Sequence, residues 1–224
     1  MRIDRQDRRQ QLLVQRLREQ LRLEHAEHVA AVLDAVRKRG EPLIEFGERQ
    51  VIRRNAGRLR AAFGERARSI DHIGSTSVPN LPAKPIVDVQ VTVESFAGAR
   101  DALIAAGLEL SDYTRDHRPP GTDVPDEQLE KRLASARVPI RTNVHVRIAG
   151  HYNQRYPLLF RDYLRATPEA AAAYAAIKRN LARIVVDDLE AYYDVKDPVC
   201  DLIMGAAELW AANTRWRPTA GSAA

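Results

Sequence analysis

The segment IVDVQVTV, residues 86–93, alternates with period two, setting Ile86, Asp88, Gln90 and Thr92 against Val87, Val89, Val91 and Val93. β-Branched residues on such an alternation predict a strand with one buried face, so Asp88 and Gln90 share the other. TNVHVRI, residues 142–148, alternates in the same way and predicts a second strand, carrying His145. Shorter strands are predicted over 67–73 and 108–113. Helical spacing predicts a helix over 48–63, with Val51, Ile52, Leu59 and Phe63 on or near one face, and another from Ser95, as N-cap, to near Gly107. Residues 114–139, which include RDHRPPGTDVPDE, read as loop with one short helical stretch. Three helices follow: one over 156–165, one opened by Thr167-Pro168-Glu169, and one opened by Asp197-Pro198 that runs to about Asn213. In the last two a polar N-cap stands before a proline at the first helical position.

Residues 6–39 form a long amphipathic segment in which Leu13, Leu17, Leu21, Val29, Leu33 and Val36 recur near helical spacing. Leu23, His25 and His28 interrupt it, so one helix and two are equally compatible. Gly40-Glu41-Pro42 closes it. The expected organisation is a helical extension over 1–41, a domain over 42–213 and a disordered tail over 214–224. The extension can pack back on the domain, dimerise, or dock on a protein partner.

Composition narrows the classes. Of the 224 residues, 45% are hydrophobic and 29% charged, ordinary values for a chain with a packed core. Cys200 is the only cysteine, which excludes an intramolecular disulfide and fits a reducing compartment; among Val199, Leu202 and Ile203 it reads as packed. No apolar run approaches the roughly 18–20 residues that span a bilayer, and the N-terminus lacks a signal-peptide core, so a cytoplasmic chain is expected. The net charge is +5, and residues 1–40 hold ten Arg/Lys against six Asp/Glu. That basic arm lacks interleaved aromatics, which argues against nucleic acid as the partner.

Candidate chemistry gathers in HIGSTSVPNLPAKPIVDVQV, residues 72–91. A Gly74-Ser75-Thr76 turn lets backbone N–H groups and hydroxyls approach a phosphate, or simply satisfies itself as a turn. Asp88 on the following strand is placed to hold Mg²⁺ or act as a base, or to form a structural ion pair with Lys84 or His72. Lys84 lies between the two and would neutralise a phosphate. His72 and His145, with Asp88, make either a metal constellation or a pair of satisfied core histidines. Arg161 and Arg165 stand four apart on one helix, as do Tyr174 and Lys178 on the next. Turned inward they would wall an anionic ligand; turned outward they are solvated charges. His25, His28, His117 and His151 read as surface residues.

The Gly-Ser turn followed by an acidic strand resembles the nucleotidyltransferase superfamily. HIGSTSVPNLPAKPIVDVQV together with FRDYLRATPEAAAAYAAIKRNLA, VHV at 144–146, Tyr192 and Lys196 resembles the GrpB family over about 43–212. Asn80 stands where that family commonly has glycine. The resemblance implies an α+β fold, a nucleotidyltransferase-like mixed β-sheet flanked by helices with a C-terminal helical cluster, and a nucleotide or other phosphate-bearing ligand held with Mg²⁺. It implies transfer chemistry less well. Such a centre needs paired carboxylates two residues apart, and Gln90 stands where the partner of Asp88 would be. The family also occurs fused to dephospho-CoA kinase, which makes a supporting module the alternative; this chain has no GxxxxGK[ST] loop of its own.

Overall fold

The computed structural model of the protein describes residues 45–136, 141–185 and 188–218. The extension expected over 1–41 lies outside these residues, as does the tail beyond residue 218. Five strands, β1 (Ser69–Ile73), β2 (Ile86–Val93), β3 (Glu109–Leu110), β4 (Arg132–Ala136) and β5 (Arg141–Ile148), form one mixed sheet in the order β1-β2-β5-β4-β3. β2 and β5 run parallel and the other pairs antiparallel. The described helices are α1 (Glu45–Phe63), α2 (Ala99–Ala105), α3 (Tyr152–Ala166), α4 (Pro168–Ile184) and α5 (Leu189–Thr214). This is the expected α+β architecture.

The valine face of β2 is the centre of the main core. Val87, Val89, Val91 and Val93 pack with Ile52, Leu59 and Phe63 of α1 and Ala102 and Leu103 of α2. Each fully buried valine is worth about 1.5–3 kcal/mol against its exposed state. The opposite face is polar: Asp88, Gln90 and Thr92 stand in register with Asn143, His145 and Arg147 of β5. α3 crosses this face, and α3, α4 and α5 pack together beyond it. Their contacts include Leu164, Tyr174, Ala175 and Cys200, which also enclose Val78 and Leu81 from the segment after β1. Cys200 is buried as expected, with Sγ 3.3 Å from the Tyr174 hydroxyl.

The structure corrects several boundaries. The stretch 114–139 contains β4 besides a 3-10 turn at Asp126–Leu129; RLASA has little pattern of its own, and pairing with β5 makes it a strand. The predicted strand over 108–113 shortens to Glu109–Leu110. α2 begins at Ala99 behind Gly98, while Ser95 Oγ accepts only from Ala97 N, at 3.4 Å. α3 begins at Tyr152 and α5 at Leu189, so Pro157 and Pro198 lie inside helices rather than at their starts. Asp188 caps α5 through Ala191 N at 2.9 Å. Tertiary contact carries both helices through their prolines: Tyr156 stacks on Phe160, and its hydroxyl donates to Asp201 of α5 at 2.8 Å. No described helix is long and apolar enough to cross a membrane.

Candidate functional site

The Gly74–Ser77 segment turns tightly out of β1. Gly74 has φ +73, a left-handed value open to glycine, and Ser75–Ser77 form one 3-10 turn, with Ser77 Oγ donating to Gly74 O at 2.6 Å. The turn presses against β2: a Cβ built on Gly74 would stand 2.5 Å from Asp88 Oδ2. The sequence places glycine where a backbone must touch the carboxylate.

Asp88 is about a quarter exposed, at 27% of its side chain. Its Oδ1 accepts from Asn143 Nδ2 at 2.9 Å and lies 3.5 Å from His145 Nε2. Burial pushes the Asp88 carboxyl upward, but His145 and Asn143 outweigh it and leave the group below its usual range, hence ionised. Burial and the Arg147 charge lower His145, so its ring is neutral near pH 7. Its Nδ1 faces Arg147 Nη2 at 3.4 Å, which leaves the proton on Nε2, aimed at Asp88.

Gln90 does not join Asp88. It is fully buried, donates from Nε2 to Gln154 O at 3.0 Å and accepts from Arg147 Nη1 at 2.8 Å. Arg147 in turn binds Asp116 through Nε at 2.9 Å and Nη2 at 3.1 Å, and Asp116 also accepts from Lys131 at 2.6 Å and Asn153 at 3.1 Å. A polar chain thus runs across the sheet from Asp88 to Asp116. His72 faces elsewhere. It is in register with Val89, opposite Asp88 and His145, and its Nε2 meets Thr76 Oγ1 at 2.8 Å. Burial, with Arg165 nearby, lowers it to about 4. Among the described residues no three His, Cys, Asp or Glu gather to hold a metal.

The basic residues divide into two sets. Arg161, only 1% exposed, donates from Nη1 to His72 O at 2.9 Å and from Nε to Asp162 at 2.7 Å; Arg165 Nε donates to Ser77 O at 2.8 Å. Arg161 is buried and Arg165, though partly solvated, also reaches a backbone carbonyl, so both brace the turn. Lys178 enters from α4. Its ammonium donates to Ser75 Oγ at 2.5 Å and to Pro82 O at 2.6 Å, over the Tyr174 ring at 5.5 Å. Burial, with the Lys196 charge next, lowers it to about 8. Lys84 lies 5.5 Å over the Tyr192 ring, lowered by burial, Arg141 and Lys196. Of the residues singled out in the sequence, Lys178 meets Ser75 and the Gly74 turn meets Asp88, while Lys84 lies over Tyr192 and Tyr174 turns its hydroxyl to Cys200.

A cavity of about 210 Å³ lies beside this crevice, lined in part by Asp116, Arg147, Asn153, Tyr156, Lys196 and Cys200. His117, read as a surface residue, is exposed and reaches Asp201 at 3.2 Å; His151, also read as surface, buries its Nδ1.

The GrpB protein family profile matches residues 49–206. The chain belongs to the GrpB family. This GrpB chain is 38% identical over 182 residues to a dephospho-CoA kinase of Mycolicibacterium paratuberculosis, covering 74% of this chain and 45% of the relative. It therefore spans less than half the length of that relative. A UPF0157 protein of Halalkalibacterium halodurans is 33% identical over 167 residues, with 74% and 81% covered. The crystal structure of conserved protein GrpB from Enterococcus faecalis superposes with a TM-score of 0.58 at 27% identity, over 72% of this chain and 93% of that one. In this GrpB chain Asn80 has φ +59. Asparagine tolerates that left-handed value better than most residues.

The site residues not found from sequence are Asn143, Arg147, Asp116 and Asn153, and Lys196 enters there only as part of the family resemblance. The first two had a signal, since Asn143, His145 and Arg147 are spaced by two on one strand and so share a face. Asp116 lies in an irregular stretch with no periodicity to orient it.

Proposed function

We propose that the protein binds a nucleotide or another phosphate-bearing small molecule between the Gly74–Ser77 turn, Asp88 and Lys178. The observation that carries this is the buried Lys178 ammonium on Ser75 Oγ, with the Lys196 and Lys84 charges near enough to lower it beyond the effect of burial. A buried ammonium held at cost beside a Gly-Ser turn is prepared for anionic charge. Ser75, Thr76, Lys84 and Lys178 would meet the phosphate oxygens, while Arg161 and Arg165 hold the turn in shape.

Mg²⁺ fits in a limited way. One ion would take Asp88 together with phosphate oxygens brought by the ligand. A two-metal clamp does not fit, because Gln90 is neutral and both its ends are engaged. The reading is therefore binding, with nucleotidyl transfer to an acceptor its stronger form.

A thermal-shift series against ATP, pyrophosphate and CoA precursors, with and without Mg²⁺, tests it. A ligand at about 100 times its Kd adds close to 2.7 kcal/mol. Wild type is expected to shift, with the shift weakened in Lys178→Met and its Mg²⁺-dependent part lost in Asp88→Ala. A second expectation concerns pH. The protonated Lys178 binds the anion, so affinity falls as pH rises through about 8, with a limiting slope of about tenfold per pH unit. The same titration in Lys178→Met is flat across that range if Lys178 is the cause. No shift with any ligand in folded protein would favour the other reading, a supporting module, which the similarity to a dephospho-CoA kinase suggests.

A further inference from the structure

α5 turns one face away from the other described residues. Val195, Leu202 and Leu209 stand seven residues apart and are 47%, 77% and 70% exposed. Pro198, Gly205 and Ala212, each three residues further along and also exposed, repeat at the same spacing. The two series are the a and d positions of a heptad, the repeat by which one helix seats another. Large side chains fill one series and small ones the other. A Cβ on Gly205 would meet nothing within 4 Å, so the central gap is open. Fourteen residues of helix place Val195 and Leu209 about 21 Å apart, long for a chance apolar surface on one helix.

We infer that this face pairs with the same face of a second copy, the two α5 helices running antiparallel about a two-fold axis. Reversing one helix brings a positions opposite d positions, so large side chains meet small ones. With Leu202 over the partner's Gly205, Leu209 falls over the partner's Pro198 and Val195 over the partner's Ala212. A parallel pair would set leucine against leucine and leave the gaps unfilled. Charge selects the same arrangement. That register places Glu190 beside the partner's Arg217; both residues are exposed, and neither has an ion pair among the described residues. A parallel pair would instead gather Glu190 and Asp194 of both copies at one end. Antiparallel pairing also sets opposite ends of the two helix dipoles together. The match is reciprocal in shape and charge, which is the property of an isologous contact and one that an unrelated partner has no reason to share.

Light scattering and sedimentation of the full chain test this. The mass is expected to rise from one copy to two with concentration, with a Kd of roughly micromolar for a contact at the small end of specific interfaces. Leu202→Lys with Leu209→Lys should raise that Kd by at least about a hundredfold, since a two-fold contact buries each leucine twice. Gly205→Leu should also weaken the dimer, because it fills the gap, whereas on a merely adhesive surface an added leucine would tighten it. Glu190→Arg and Arg217→Glu should each weaken pairing about fivefold, and the double variant should regain it. Melting temperatures near wild type would show that these exposed substitutions leave the fold intact. A single-copy mass at every concentration would overturn the inference. So would a dimer that survives the two lysines or tightens with Gly205→Leu.

Discussion

Gly74→Ala is expected to destabilise the protein by about 2–4 kcal/mol and to abolish ligand binding. Two costs act together. The left-handed φ of +73 penalises any Cβ, and here the Cβ would stand 2.5 Å from Asp88 Oδ2. The carboxylate cannot step aside cheaply, because its other oxygen holds Asn143 and faces His145. The turn cannot retreat either, since Arg161 and Arg165 grip the carbonyls of His72 and Ser77 on either side of it. The measurement is the urea midpoint at unchanged slope, paired with the thermal shift by pyrophosphate. Gly57→Ala is the control: Gly57 lies in α1 with open space around it, so alanine should raise stability by about 0.5–1 kcal/mol. A Gly74→Ala protein as stable and as competent as wild type would show that the turn and Asp88 do not touch.

That contrast marks what a sequence can and cannot show. The period-two run over 86–93 separates the valine face of β2 from the polar one, so Asp88 and Gln90 are placed on one face without coordinates, although Gln90 proves as buried as the valines. Their different fates are not visible from the run. Gln90 is captured by Arg147, whose own orientation depends on Asp116 from a stretch without pattern. Proline misleads for a related reason. Asp197-Pro198 looks like a helix start by local rule, yet packing between α3 and α5 keeps the helix continuous from Leu189. The arginine pair on α3 illustrates a third limit. Spacing shows that Arg161 and Arg165 share a helical face; only the packing shows that both point at backbone carbonyls of the turn. Local periodicity is legible, and long-range partners are not.

Asp116→Asn is expected to cost about 3–5 kcal/mol near neutral pH, because it leaves Arg147 and Lys131 without their shared anion in a partly desolvated place. Arg147 is nearly buried, at 7% side-chain exposure, and Lys131 at 10%. The pH dependence follows from the direction of the Asp116 shift. Burial works upward, but the charge and hydrogen bonds of Arg147 and Lys131 prevail and hold the carboxyl well below its ordinary 3.8. A depressed carboxyl contributes stability above that ordinary value and loses it as pH falls through the folded one. Wild type should therefore weaken between pH 5 and pH 2 more steeply than Asp116→Asn, and equal slopes would remove Asp116 as the cause. Asp126→Asn, at an exposed pair with Arg115 and Arg118, should change stability by about 0.5 kcal/mol or less. The substitution also reaches the crevice. Freed from Asp116, the Arg147 guanidinium no longer fixes His145 Nδ1 as an acceptor, and the Nε2 proton facing Asp88 loses its constraint. Asp116→Asn should thus weaken the Mg²⁺-dependent part of ligand binding even at pH 7, where folding is intact, and a variant that is destabilised but binds as wild type would confine Asp116 to holding the fold.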